Sequence, residues 1–200
     1  MRLWRRRSSL IFHSQTFSIC RAHYGAGALH LGVAMAVYLG RVWKHSVALI
    51  EMSPDERLLS VASDDTAIIG DTVGFHLGDI DVFPGCDNRS LGTILGGHYE
   101  YTIVIYSFGT DEPLLPSDTH RLCISSARPW YLHDATAMMR FYLSSGYGRV
   151  CYLAVCPTHH EKIQFQQEFG VHLDPIPYID DPFSPDRDDM DFLRKLTRCG

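Results

Sequence analysis

The stretch Thr16-Phe-Ser-Ile-Cys-Arg-Ala-His-Tyr-Gly-Ala-Gly-Ala-Leu-His-Leu31 runs from a β-prone apolar segment through a glycine turn into a helix. Thr16 to Arg21 reads as a buried strand and Tyr24-Gly25-Ala26-Gly27 as the turn. Ala28 to Val42 reads as a helix, with Leu31, Met35, Val37, Tyr38, Leu39 and Val42 among its apolar members. A second buried strand, Ser46 to Glu51 (SVALIE), follows it. Strand, glycine turn, helix and strand make a βαβ unit, and such a unit implies a parallel sheet.

The alternation continues downstream. Pro54 to Ala62 predicts a short helix, Ser63 to Gly70 begins as a polar loop, and Val73 to Phe83 has strand-like stretches that end at Pro84-Gly85. Arg89 to Leu95 predicts a helix stopped by Gly96-Gly97. Tyr101 to Tyr106 (YTIVIY) is the clearest central strand. Strands at Arg121–Ser125 and Arg149–Val155 alternate with helices at Leu132–Leu143 and Thr158–Phe169, the latter stopped by Gly170. A short extended segment at Pro175–Ile179 and a helix at Asp188–Leu196 complete the pattern. The expected fold is α/β: a three-layer sandwich with a mostly parallel central sheet.

Composition narrows the function classes. The 200 residues are 46% hydrophobic and 20% charged, as in an ordinary globular domain. The net charge of −5 disfavours a dedicated nucleic-acid binder. Arg2, Arg5, Arg6 and Arg7 make residues 1–15 a basic arm ahead of a single domain at 16–200. Only Leu10-Ile11-Phe12 follows them as an apolar run, short of a signal-peptide core. Cysteines at 20, 86, 123, 151, 156 and 199 include no C-x2-C pair, so a reducing cytoplasm is the expected compartment.

The segment from Cys20 to Leu31 lies where a phosphate loop would lie, between a first strand and a helix N-terminus. Free backbone N–H groups and the helix dipole make an anion site there, and glycines let the chain wrap an oxyanion closely. A working phosphate loop also supplies a Lys and a Ser or Thr for magnesium. After Gly27 come Ala28, Leu29 and His30.

On these residues the chain resembles the MinD/ParA/ArsA branch of P-loop NTPases, which includes septum-site and pilus-assembly proteins. Setting the G-V-G of that branch's KGGVGKT[ST] motif on Gly25-Ala26-Gly27 puts His23 at the signature Lys and Ala28 at the phosphate-loop Lys. Leu29 and His30 then take the hydroxyl positions. The resemblance puts Glu51 and Ser53, in Leu49-Ile-Glu-Met-Ser53, at the acidic positions ending the second strand. It sets the "YDYhhhDhG" motif near Tyr99 to Gly109, with two extra residues and Ser107 in place of the carboxylate. Ile176-Pro-Tyr-Ile-Asp-Asp-Pro-Phe183 is similar to the branch's short strand ending in Ile-Pro, at a turn bordering the adenine.

The resemblance thus implies a P-loop-NTPase-like fold with a nucleotide or anion site at His23, Tyr24, Gly25, Ala26, Gly27, Ala28, Leu29, His30, Glu51 and Ser107. Losing one charged transition-state donor costs about 10²–10³ in rate, and phosphoryl transfer depends almost wholly on such groups. The expectation is therefore a pseudo-ATPase with no catalytic residue, no metal site, and at most weak ATP or ADP binding. Its expected role is a scaffold or regulator acting through a protein partner, in a bacterial surface-appendage or localisation system. An unconventional ATPase using the Gly25-Ala26-Gly27 loop is one alternative. A small-molecule module with its crevice at the strand carboxyl ends is another.

Other constellations are weaker. His159-His160-Glu161 lacks the i,i+4 spacing of zinc helices, whereas Thr158 with Glu161 reads as a capping box. Asp79 and Asp81 fall on one strand face by alternation. The acidic run Asp180 to Asp191 suits the positive end of the last helix. That helix is amphipathic, through Met190, Phe192, Leu193 and Leu196, and is expected to dock on its own domain rather than on a membrane. Pro129-Trp130-Tyr131 reads either as a partner-binding cluster or as a packing staple.

Overall fold

The computed structural model describes residues 14–198 apart from 111, 127, 129 and 149. The basic segment 1–13, Pro129 of the aromatic turn and Cys199 therefore lie outside the described residues. Strand β1 (Gln15–Arg21) leads through the glycine loop into helix α1 (Ala28–Val37) and then β2 (Val47–Glu51). After a 3₁₀ turn at Arg57–Val61 come β3 (Thr66–Ile69), β4 (Thr72–Leu77) and β5 (Ile80–Phe83). Then follow α2 (Asn88–Leu95), β6 (Tyr101–Ser107), β7 (His120–Ile124), α3 (Leu132–Ser144), β8 (Val150–Val155), α4 (His159–Phe169), β9 (Asp174–Ile176) and α5 (Arg187–Arg198).

The strands form one sheet in the order β3-β4-β5-β2-β6-β1-β7-β8-β9. From β5 to β9 every neighbouring pair is parallel, whereas β4 runs antiparallel to both β3 and β5. β1 lies between β6 and β7, so both of its faces must be covered. Period-two alternation does this. Phe17 and Ile19 enter the core under α1 and α5, and Cys20 enters the core under α2, α3 and α4. The three-layer sandwich expected from the alternating pattern is the one formed.

Helix α1 is apolar around most of its circumference, and Leu31, Val33, Met35 and Val37 are all buried. Full burial of side chains of this size stabilises by about 1.5–3 kcal/mol each, which anchors the helix beside the sheet and fixes the loop before it. Its last turn loosens into a π-helical segment at Tyr38–Val42, where the Trp43 N–H reaches back to the Tyr38 carbonyl. The expected helix over 28–42 is thus continuous but changes its hydrogen-bond pattern. The region expected to begin as a loop after Ser63 instead forms β3, because Thr66–Ile69 pairs with β4 on the sheet edge. In α5, Leu193 and Leu196 are buried against the α1 side of the core, so the helix docks on its own domain. No helix among the described residues is long and apolar enough to cross a membrane.

Candidate functional site: the glycine loop at the carboxyl edge of the sheet

The parallel strands bring the ends of β1, β2, β6 and β8 to one edge, and the glycine loop lies across it. Gly25 and Gly27 have φ of +76° and +93°, in the left-handed region that glycine takes at little cost. A Cβ on Gly27 would also lie 3.0 Å from Val155 Cγ2. Gly27 is the N-cap of α1 and supplies no side-chain cap. The Leu31 N–H donates to the Gly27 carbonyl at 2.9 Å. The N–H groups of Ala28, Leu29 and His30 precede that bond and have no intrahelical acceptor. They point their positive charge out of the helix end.

The predicted side chains are held in distinct ways. His23 stacks flat on Tyr131, with centroids 3.7 Å apart and planes at 4°. Its Nδ1 meets the Tyr24 carbonyl at 2.8 Å, and its buried Nε2 has no hydrogen-bond partner. Burial lowers its pKa, against a smaller opposing pull from Asp134. His30 directs Nε2 to the Ile179 carbonyl at 2.7 Å and so ties α1 to the chain after β9. Glu51 is 1% exposed and accepts the Leu58 N–H at 2.8 Å, which caps the 3₁₀ turn. The Tyr24 hydroxyl donates to Asp55.

Ser107, at the end of β6, accepts a hydrogen bond of 2.7 Å from Arg21 Nε. Arg21 is the residue that sequence reasoning missed. It is 7% exposed. A second guanidinium nitrogen reaches Ser53 Oγ at 3.4 Å and lies 3.8 Å from Asp55 Oδ2. The Arg21 and Arg57 guanidinium groups stand 4.6 and 4.2 Å from the Tyr24 ring centroid, within cation–π range. The sequence signal was an arginine closing an otherwise apolar strand next to a glycine turn. Its partners could not be read there, because Ser107 is 86 positions away.

Two clefts flank the loop and share Gly25, Gly27 and His30. One, of 310 Å³, has Arg21, Arg57 and Ser60 in its walls. The other, of 330 Å³, is walled by Leu31, Val155 and the chain from Ile176 to Ile179. The Ile-Pro turn that the resemblance placed beside an adenine does border the loop. Tyr178 and Val155, which wall the second cleft, are exposed, Tyr178 by 73%; Tyr24 is exposed in the loop, and Trp130, 68% exposed, lies beside Tyr131, the ring that stacks on His23.

The remaining candidates resolve into structural contacts. Thr158 and Glu161 form the expected capping box at α4. Asp186 accepts the N–H groups of Asp188 and Asp189 at the start of α5. Asp81 pairs with His76 and Tyr99, whereas Asp79 sits in the β4–β5 turn, so the two do not share a strand face as alternation had suggested. No group of three His, Cys, Asp or Glu side chains among the described residues is placed to hold a metal ion.

No protein-family model matches the chain, and no curated protein matches it by sequence. Solved structures do. A Borrelia burgdorferi protein assigned to plasmid partition, bound to AMPPNP, superposes with a TM-score of 0.64 at 13% identity, over 92% of this chain and 97% of its own. A ParA family ATPase from Chlorobium tepidum gives 0.62 at 12% identity, over 94% and 92%. The septum site-determining protein MinD of Pyrococcus horikoshii, complexed with Mg-ADP, gives 0.59 at 15% identity, over 92% and 94%. The fold is that of the MinD/ParA ATPases.

Proposed function

We propose that this is a MinD/ParA-like protein that performs no ATP hydrolysis and works as a scaffold or regulator through protein contacts. The observation that carries the proposal is the Arg21 network. The fold implies a magnesium nucleotide, and magnesium needs oxygen ligands, usually including carboxylates, in octahedral array. The oxygens at this edge include the hydroxyls of Ser107 and Ser53 and the carboxylate of Asp55, all facing a buried guanidinium, and the buried Glu51 carboxylate, which is taken up by the Leu58 N–H. Magnesium does not fit that donor set. The loop itself carries no lysine, and His23 is stacked away under Tyr131.

The exposed side chains of Tyr24, Trp130 and Tyr178 near the loop support the protein-contact half of the proposal, because exposed aromatic side chains are enriched where proteins meet. A reducing cytoplasm and a surface-appendage or localisation system are the setting we propose. The test is turnover of ATP by the purified chain in magnesium. We expect none above the uncatalysed background, and Ala28→Lys should not restore it. Magnesium-dependent turnover abolished by Gly27→Val would overturn the proposal.

A second reading has its own support. The free N–H groups of α1 lie between a cleft with arginines and an apolar cleft, an arrangement that suits a phosphate-bearing ligand with a flat apolar end. Binding without hydrolysis is compatible with a regulatory role.

A further inference from the structure

We infer that Arg21 is the resident cation of the glycine-loop site, so that a phosphate-bearing ligand is neutralised there by guanidinium groups and binds without a divalent metal. The inference rests on the second reading above, that the loop takes such a ligand.

Four observations place Arg21 in this role. It ends β1, the strand that leads directly into the loop, so its position relative to Gly25 and Gly27 is set by the central sheet. Its guanidinium is held at a fixed point by Ser107 on β6 and Ser53 after β2. It lines the same cleft as the loop and the first residues of α1. The recorded bonds use two of its nitrogens, and a guanidinium has five N–H donors, so donors remain for a ligand.

Arg57 supplies the second charge. It is exposed, stands over the Tyr24 ring, and lines the cleft from the side of the 3₁₀ turn. Within this network the Arg21 guanidinium lies 3.8 Å from the Asp55 carboxylate and the Arg57 guanidinium stands over the Tyr24 ring, beside a helix end that favours anions. Guanidinium groups bind phosphate oxygens in a planar fork, which a point charge cannot reproduce. A divalent ion placed here would meet those guanidinium groups and would have to displace Arg21 from both serines.

The experiment is calorimetric titration of ADP, and separately of inorganic pyrophosphate, onto the full chain in EDTA and in magnesium. The expected result is binding in EDTA, unchanged by magnesium. Arg57→Ala, on the surface, should weaken it about tenfold. Arg21→Lys keeps a charge but loses the fork and should weaken it by a comparable factor. Thermal melting of each variant separates a folding defect from a binding defect. If Arg21→Lys does not fold, labelling arginine with ¹⁵N keeps the test open, because the Arg21 Nε signal should shift on pyrophosphate addition in EDTA. Binding that appears only with magnesium, or an Arg21 signal unmoved by bound ligand, overturns the inference but leaves the loop as a ligand site. No binding of either probe at millimolar concentration overturns both.

Discussion

The two clefts beside the glycine loop are nearly equal in volume, at 310 and 330 Å³, and both have largely apolar walls, but the first alone adds arginines, Arg21 and Arg57. One is walled by arginines that answer to a hydroxyl and carboxylate network. The other is walled by Val155, Ile176 and Tyr178 and has the Ile179 carbonyl bonded to His30. They share the same glycines, so loop conformation alone does not decide what the edge binds. The side chains brought in from β1 and the 3₁₀ turn on one side, and from β8 and β9 on the other, decide it. The arginine cleft rests on long-range hydrogen bonds to a buried charge, and the apolar cleft on packing and a single tether. The arginine side should therefore be the more fragile to one substitution.

The largest effect should come from Arg21→Ala. It strips a charge-assisted hydrogen bond from Ser107 and leaves polar groups uncompensated at a buried edge, at a cost of about 2–3 kcal/mol. Chemical denaturation would read this as a lower midpoint with an unchanged slope. A loss below the noise would mean that the two clefts do not differ in this way. Gly27→Val should cost about 1–3 kcal/mol, because a β-branched residue must hold a left-handed φ and meet Val155 at the same time. It strikes both clefts, so anion binding should fall with stability.

On the apolar side His30→Ala should cost only about 1 kcal/mol, one ordinary hydrogen bond. Hydrogen exchange should quicken over residues 176–183 and stay unchanged over 53–61. Equal quickening in both segments would break the proposed independence of the clefts.

The smallest effect concerns pH. Burial holds His23 below the ordinary histidine pKa of about 6.5. The unfolded chain then takes up the proton first as pH falls. The stability contributed by the neutral ring is whole above that value and drains away as pH drops through it toward the folded pKa. His23→Phe keeps a flat ring against Tyr131 and removes the proton. The melting temperature of the variant should fall less than that of the parent between pH 7.5 and 5, with the difference starting near 6.5. Parallel curves would show that His23 is not titrating below its usual range.

Much of the architecture was legible in the sequence because it rests on local signals. The run from Thr16 to Arg21, the glycines at 25 and 27, and the run from Tyr101 to Tyr106 announce two central strands and a loop by composition and period alone. The capping box at Thr158 and Glu161 spans three positions and was equally plain. β3 was not, since its polar start resembles a loop until β4 pairs with it.

The candidate site was legible only in its backbone. Glycines in a strand–turn–helix context demand left-handed angles and free N–H groups, and the chain alone dictates both. What those N–H groups face depends on side chains 32 and 86 positions away from Arg21, which the parallel sheet lays side by side. The same assembly turned Glu51 into a cap for the 3₁₀ turn and drew His23 under Tyr131. A charge buried at a sheet edge takes its partners from whichever strands end there, and strand order is a property of the packed fold, not of any single segment.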